Sequence, residues 1–482
     1  MFDLTISIFE GVFKMIFELL SLTFTSFSKK KELHADFATE GILLSKRNTG
    51  FCLTGRKSIS VKNSYTNCLA IGGTGTGKTS VVLLPSLYSM KASFVVHDPS
   101  GELHAKSAGY LLHQGYEVKV LNFTDPSASC GYNPLARAQS QTEIQKVASL
   151  LVENAMGGKS KDPFWNTQSV SLLTILIGIL KKQGEKFYTL YNLRQLLNNM
   201  SGGNTRGVDA LFAECPDEIL YAEYKSFLSY DEKVQTSIIA TAKASLQIFA
   251  DESVARVTSS DSLDMVSFRE KPTALFIRNN ISDQKYYSVL TSIFFEQFFS
   301  YIMSRLPKDG EQDIFFLIDE CSSLRLPTLP LAVANVRKHR AGILLVVQEY
   351  NQLVNSYGKS DAESIRANCF SKVYFTGQPL ETARELEQTL GRYEYKDSEG
   401  KKVIRQLMTN DEIRTMPVDR ALLVCGHHPP IRAKLRPYYE NRLYREYSSI
   451  ASPPSEGNSA GNVPLCILPL ETPETTDEED QG

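Results

Sequence analysis

Two hydrophobic periods divide the chain. Short continuous apolar runs at 68–71, 93–97, 118–123, 273–278, 313–318, 342–347, 371–375 and 421–425 are bounded by turn residues and read as strands buried on both faces. Between 126 and 260 such runs disappear. Amphipathic stretches with helical spacing follow one another at 141–156, 163–183, 189–200, 207–214, 217–229 and 231–249, separated by breakers such as Gly157-Gly158 and Ser201-Gly202-Gly203. Further helices are expected at 284–305, 329–340 and 379–390. The pattern predicts an α/β fold, a mostly parallel sheet interrupted by an inserted all-helical domain. The resulting division is 1–31, 32–125 (sheet, first part), 126–260 (helical insertion), 261–447 (sheet, second part) and 448–482.

The two ends follow neither pattern. Residues 1–31 are rich in Phe, Leu and Ile and close on Lys29-Lys30-Lys31. Polar residues recur every three or four positions, at Asp3, Ser7, Glu10, Lys14, Glu18, Ser21, Thr25 and Ser28. That is one polar stripe on an otherwise apolar helix. Charged residues at 10, 14 and 18 would be costly in the middle of a spanning helix. A helix lying in the membrane interface, with the lysines near anionic headgroups, accommodates them; packing on a protein and spanning remain the alternatives. The acidic start and the lack of a small-residue cleavage pattern argue against a secretory signal. After about 448 the chain is rich in Ser, Pro, Gly and Asn and then acidic, and is expected to be disordered. An apolar island at 463–470 within it reads either as a docking motif or as inert tail.

Composition adds exclusions. At 482 residues, 42% hydrophobic and 22% charged, the chain supports sizeable globular cores, and its net charge of -2 rules out a global basic field. Contacts to nucleic acid would have to be local. The eight cysteines are scattered without a C-x-x-C and suit buried thiols in a reducing compartment. His427-His428 lacks further metal-type ligands nearby in sequence.

The sharpest chemistry follows the first strand. Gly72, Gly73, Thr74, Gly75, Thr76, Gly77, Lys78, Thr79 and Ser80 contain G-x-x-x-x-G-K-[ST], preceded by an apolar strand and followed by a helix-compatible run. Such glycines let backbone N–H groups turn inward onto phosphate oxygens, at the positive end of the following helix. Lys78 would reach the terminal phosphates of ATP, and Thr79 would hold Mg²⁺. The run 313–318 ends in Asp319-Glu320. Asp319 is the expected second Mg²⁺ residue, and Glu320 would polarise an attacking water. Asp98 and Glu102, after the 93–97 strand, are near-site candidates, with helix capping as the alternative. Gln348 ends the strand 342–347 and could sense the γ-phosphate. Arg337, on the preceding basic helix, could serve across a subunit boundary as an arginine finger. A capping Gln and a solvated basic face are the competing readings.

In order, the P-loop, HDPSGEL, YNPL, Asp162-Pro163-Phe164-Trp165, IDE, NVRKHRAGILLVVQEYNQL and Asn368 to Phe375 resemble the TraG/TraD family of type IV secretion coupling proteins, over about 64–445. The resemblance implies a RecA-like P-loop motor domain with an inserted helical domain, a homo-hexameric ring with DNA in its channel, and a membrane-anchored N-terminus. It implies an ATPase that links a relaxase–DNA substrate to a type IV secretion channel in conjugation, at the cytoplasmic face of the bacterial inner membrane. By position, Lys78 and Thr79 match the family's Walker A pair and Asp319 and Glu320 its Walker B pair. Arg337 falls at its candidate finger and Gln348 at its strand-end glutamine. Gly73 and Thr76 replace a frequent Pro and Ser, Ser100 stands where a Lys is frequent, and a single amphipathic helix stands in place of paired spanning helices. Competing readings are a receptor for effector proteins, a docking platform with little hydrolysis, and a soluble DNA translocase of another P-loop family.

Overall fold

The computed structural model describes residues 34–155, 163–201, 205–279, 283–452 and 460–470. The helix expected over 1–31, the Gly157-Gly158 breaker and the acidic stretch after 470 lie outside the described residues.

The apolar runs form strands β1 (Cys68–Ile71), β2 (Ser93–His97), β3 (Glu117–Asn122), β4 (Thr273–Arg278), β5 (Ile314–Ile318), β6 (Ala341–Val347) and β7 (Ser371–Phe375). A small hairpin, β8 (Arg392–Lys396) with β9 (Lys402–Gln406), follows, and then β10 (Arg420–Cys425) and β11 (Ile431–Lys434). Nine of them make one sheet in the order β11-β10-β7-β1-β6-β5-β2-β4-β3. β7 through β3 are parallel; β10 and β11 join antiparallel at one edge. β1, β2, β5 and β6 are buried along their whole lengths, which is why they read as unbroken apolar runs. Alternate residues serve different cores. Leu69 and Ile71 join Ile343, Leu345 and Val347 on one face, and Cys68 and Ala70 join Leu344 and Val346 on the other.

Between β3 and β4 every described element is helical, from Gln141–Ala155 to Ser267–Glu270. Helix Pro163–Lys182 is long and apolar enough to cross a membrane, yet it buries Leu172, Leu173, Leu176, Ile177 and Leu180 inside this insertion. Four local outcomes differ from the sequence expectation. The helix expected over 329–340 ends at Asn335 and tightens into a 3-10 turn, Val336–His339. The first turn after the P-loop, Lys78–Leu83, is wound as a π-helix before the α-helix Leu84–Ser89. Pro85 has no N–H with which to close an α-turn there. The hairpin and β11, mixed in polarity and partly exposed, carry no apolar-run signal. Finally, residues 460–470, inside the stretch expected to be disordered, lie against the fold: Ala460 and Leu468 are buried, and Ala460 N–H donates to Ser129 O at 2.9 Å.

Candidate functional site

Parallel register brings the chemistry together. Ile71, the last residue of β1, is level with Val347 of β6 and Tyr374 of β7, and Ile318 of β5 is level with Leu345. The P-loop, Gln348 and Asp319-Glu320 therefore emerge from the same edge of three adjacent strands, with β6 in the middle. Sites in parallel sheets gather at these carboxyl ends.

The loop is shaped by its glycines. Gly75 and Gly77 take φ of 77° and 98°, open to glycine at little cost. A Cβ on Gly72 would lie 2.6 Å from Phe375 Cβ and 2.7 Å from Thr76 Oγ1. Thr76 Oγ1 donates to Gly73 O at 2.8 Å, pinning the curl. Lys78 Nζ folds back onto Gly72 O (2.6 Å) and Gly73 O (2.8 Å). Burial lowers the Lys78 pKa, and the neighbouring Asp319 and Glu320 carboxylates oppose that shift.

Asp319 is 9% exposed at the end of β5. Burial, then Glu320 and Asp98, push its carboxyl up to about 7 against the pull of Lys78. His97 Nδ1 lies 2.7 Å from Asp319 O, fixing the end of β2 to the end of β5. Glu320 adopts φ 50°, a left-handed backbone unusual for a residue with a side chain. Its N–H donates to Asp319 Oδ1 at 3.1 Å, and its Oε1 accepts from Gln348 Nε2 at 3.2 Å. Gln348 is held in turn, its N–H donating to Gln352 Oε1 at 3.1 Å. Backbone strain at a carboxylate so placed is a mark of a functional position.

The other candidates separate. Asp98 is fully buried and accepts from Leu103 N–H (3.2 Å) and His104 N–H (2.8 Å), so it caps helix Glu102–His113. Its charge still bears on Asp319. Glu102 is exposed on that helix's first turn. Arg337 lies before the start of β6, whereas Gln348 follows its end. Seven residues of strand put them about 20 Å apart, at opposite ends of β6. Arg337 is exposed, on a turn fixed by buried Arg269, which donates to His339 O (2.5 Å) and Gln312 O (2.8 Å), and by the Arg340–Asp313 ion pair at 2.7 Å. Within one chain it does not meet Lys78.

One residue beside the loop was not singled out in the sequence. Gln378 is 3% exposed, donates to Ile71 O (3.0 Å) and Phe375 O (2.8 Å), and leaves its buried Oε1 without a partner. A glutamine just past the end of a strand, as at Gln348, is the only sequence signal it carries.

The loop and the carboxylates fit a Mg²⁺–nucleoside triphosphate. A Cβ built on Gly73 or Gly75 meets no atom within 4 Å, so the space beside these two residues is open. The raised Asp319 carboxyl is a buried acid short of positive charge.

A family model described as Type IV secretory system Conjugative DNA transfer matches residues 24–461. Protein VirD4 of Agrobacterium fabrum is 21% identical over 406 residues, covering 78% of this chain and 59% of VirD4. Conjugal transfer protein TraG of Escherichia coli is 24% identical over 516 residues, covering 88% of this chain and 78% of TraG. The chain thus spans less than two thirds of VirD4's length. Among solved structures, the plasmid coupling protein TrwB in complex with ADP and Mg²⁺ shares the fold with a TM-score of 0.66 at 19% identity, covering 84% of this chain and 95% of that one. TrwB with the non-hydrolysable ATP analogue ADPNP gives 0.64 at 21% identity, covering 83% and 92%. The RecA-like P-loop architecture expected from the sequence is the one these structures share.

Proposed function

The chain belongs to the Type IV secretory system Conjugative DNA transfer family, and from that membership we propose that it is an ATP-hydrolysing coupling protein that links a relaxase–DNA substrate to a type IV secretion channel. The observation that carries the reading is the convergence of Lys78, Asp319, Glu320 and Gln348 at one edge of β1, β5 and β6.

On this reading the backbone of Gly72 to Lys78 receives the β- and γ-phosphates. Lys78 exchanges its two loop carbonyls for phosphate oxygens. The Thr79 hydroxyl and the Asp319 carboxylate would hold Mg²⁺, which would supply charge neutralisation at the phosphates. Asp319 would hold it in its ionised form, so cation binding is linked to release of the carboxyl proton. Glu320 accepts a proton from the attacking water, and Gln348, at 3.2 Å, orients its carboxylate. Arg337 lies at the far end of β6 and acts on the site of the next subunit in a homo-hexameric ring. Hydrolysis then moves loops that grip a DNA backbone with little sequence preference. The segment 1–31 attaches the ring to the cytoplasmic face of the inner membrane.

The test is ATPase activity of the full chain with and without single- and double-stranded DNA. Wild type should turn over and be stimulated by DNA. Glu320→Gln should bind nucleotide with unchanged affinity and lose at least a hundredfold in kcat. No turnover with any DNA, or equal rates for wild type and Glu320→Gln, refutes the motor reading.

A further inference from the structure

The apolar island 463–470 does not float free of the fold. Its residues 464–470 carry no helix or strand of their own, and they are held across the helical insertion largely through their main chain. Asn192, in helix Leu190–Ser201, is 1% exposed. Its Nδ2 donates to Cys466 O at 2.9 Å, and its Oδ1 accepts from Leu468 N–H at 2.9 Å. One side-chain amide thus imitates the pair of hydrogen bonds a neighbouring strand would supply. Arg256, in helix Glu252–Ser259, donates to Val463 O at 3.4 Å. From Cys466 to Leu470 burial alternates along the chain. Leu468 is 8% exposed and joins the core with Leu470 packed beside it, while Ile467 is 57% exposed.

Asn192 is a polar residue on a face otherwise made of Leu193, Leu196, Leu197 and Met200. With the segment seated, Asn192 Oδ1 is satisfied by the Leu468 N–H, while Nδ2 also donates to Thr189 Oγ1 at 3.1 Å. Asn192 thus engages main-chain atoms of the segment, and Leu468 is its deeply set side chain. Any extended segment with apolar side chains at alternate positions meets the same requirement. The resident segment keeps Val463 and Ile467 exposed to solvent, so its advantage over a competitor is its tethering.

We propose that helices Leu190–Ser201 and Glu252–Ser259 form a peptide-recognition site, centred on Asn192, for an extended protein segment with alternating apolar side chains, and that residues 463–470 occupy it in cis until such a segment displaces them. This site is separate from the nucleotide site, and the proposal stands without hydrolysis.

The probe is a fluorescent peptide with the sequence of residues 463–470, titrated into the full chain by anisotropy. Leu468→Asp places a charge in the apolar seat of the resident segment and should open the site. Apparent peptide affinity should rise at least tenfold over wild type. The same peptide N-methylated at the nitrogen corresponding to Leu468 cannot donate to Asn192 and should bind Leu468→Asp at least tenfold more weakly. Equal affinity of Leu468→Asp and wild type overturns the occupancy, and equal affinity of the two peptides overturns the reading by Asn192. Hydrogen exchange on the wild-type chain guards against a folding defect in the variant. Excess peptide should expose the Leu468 amide to exchange, and unchanged protection overturns the proposal.

Discussion

Asp319 offers a quantitative test of the site without nucleotide. The fold lifts its carboxyl from an ordinary 3.8 to about 7 through burial and the neighbouring Glu320 and Asp98. Between those two values the folded chain holds a proton that the unfolded chain has released. The Asp319 contribution to wild-type stability must therefore fall as pH rises through that window and level off above about pH 7. The limiting slope is about 1.4 kcal/mol per pH unit. From about pH 5 to pH 8, only the part below about pH 7 counts, which gives at most about 3 kcal/mol and about 2 kcal/mol after relaxation of the site. Asp319→Asn keeps the shape and cannot ionise. Urea unfolding of both proteins, free of Mg²⁺ and nucleotide, should show the variant gaining about 2 kcal/mol on wild type between about pH 5 and pH 8, with the gain complete near neutrality. Mg²⁺–nucleotide at about pH 8 should then stabilise wild type and leave the variant nearly unmoved. A difference between the two proteins that stays flat from about pH 5 to pH 8 would refute the buried, carboxylate-crowded environment assigned to Asp319.

Two further outcomes follow from the site. Gly72→Ala drives a methyl group to 2.6 Å from Phe375 Cβ; it should cost about 1–3 kcal/mol of stability and weaken fluorescent-nucleotide binding at least tenfold, whereas Gly73→Ala, with open space around it, should fold within about 0.5 kcal/mol of wild type. Equal losses of stability in the two would contradict the loop geometry. Arg337→Ala should bind nucleotide normally and lose about 10³-fold in ATPase, and mixing it with Lys78→Ala subunits should restore part of the activity; no restoration at any ratio would count against a role in the neighbouring site.

The sequence disclosed the strands that are buried on both faces, because apolar runs as short as 314–318 and 341–347, bounded by turn residues, suit a strand better than a helix. It disclosed the insertion's helices for a similar reason: their buried residues repeat at helical spacing, as Ile144, Val147, Ala148, Leu151 and Val152 do. The hairpin β8–β9 was not legible, since β8 alternates charged and aromatic residues, β9 mixes charged, aliphatic and amide ones, and neither has a consistently buried face. Lys78, Asp319 and Glu320 were legible because their chemistry is carried by local motifs. That Asp98 caps a helix, and that Gln378 braces the end of β1, depends on contacts between residues far apart in sequence or on which of two local bonding patterns wins. Segment 463–470 misled for a related reason. Its flanks have the composition of a disordered tail, and its partner Asn192 lies more than 250 positions away.

Strand β6 has a genetic consequence. Arg337 precedes it and Gln348 follows it, so in the proposed ring one polypeptide contributes to two different reaction centres. A subunit lacking Lys78 would silence the centre at its own P-loop, and a subunit lacking Arg337 would silence only its neighbour's. A subunit lacking both would silence two, yet still assemble. Inactive alleles of this gene are then not equivalent in dosage: at equal expression beside the wild-type copy, the double variant is the more strongly dominant, and either single variant is partly masked.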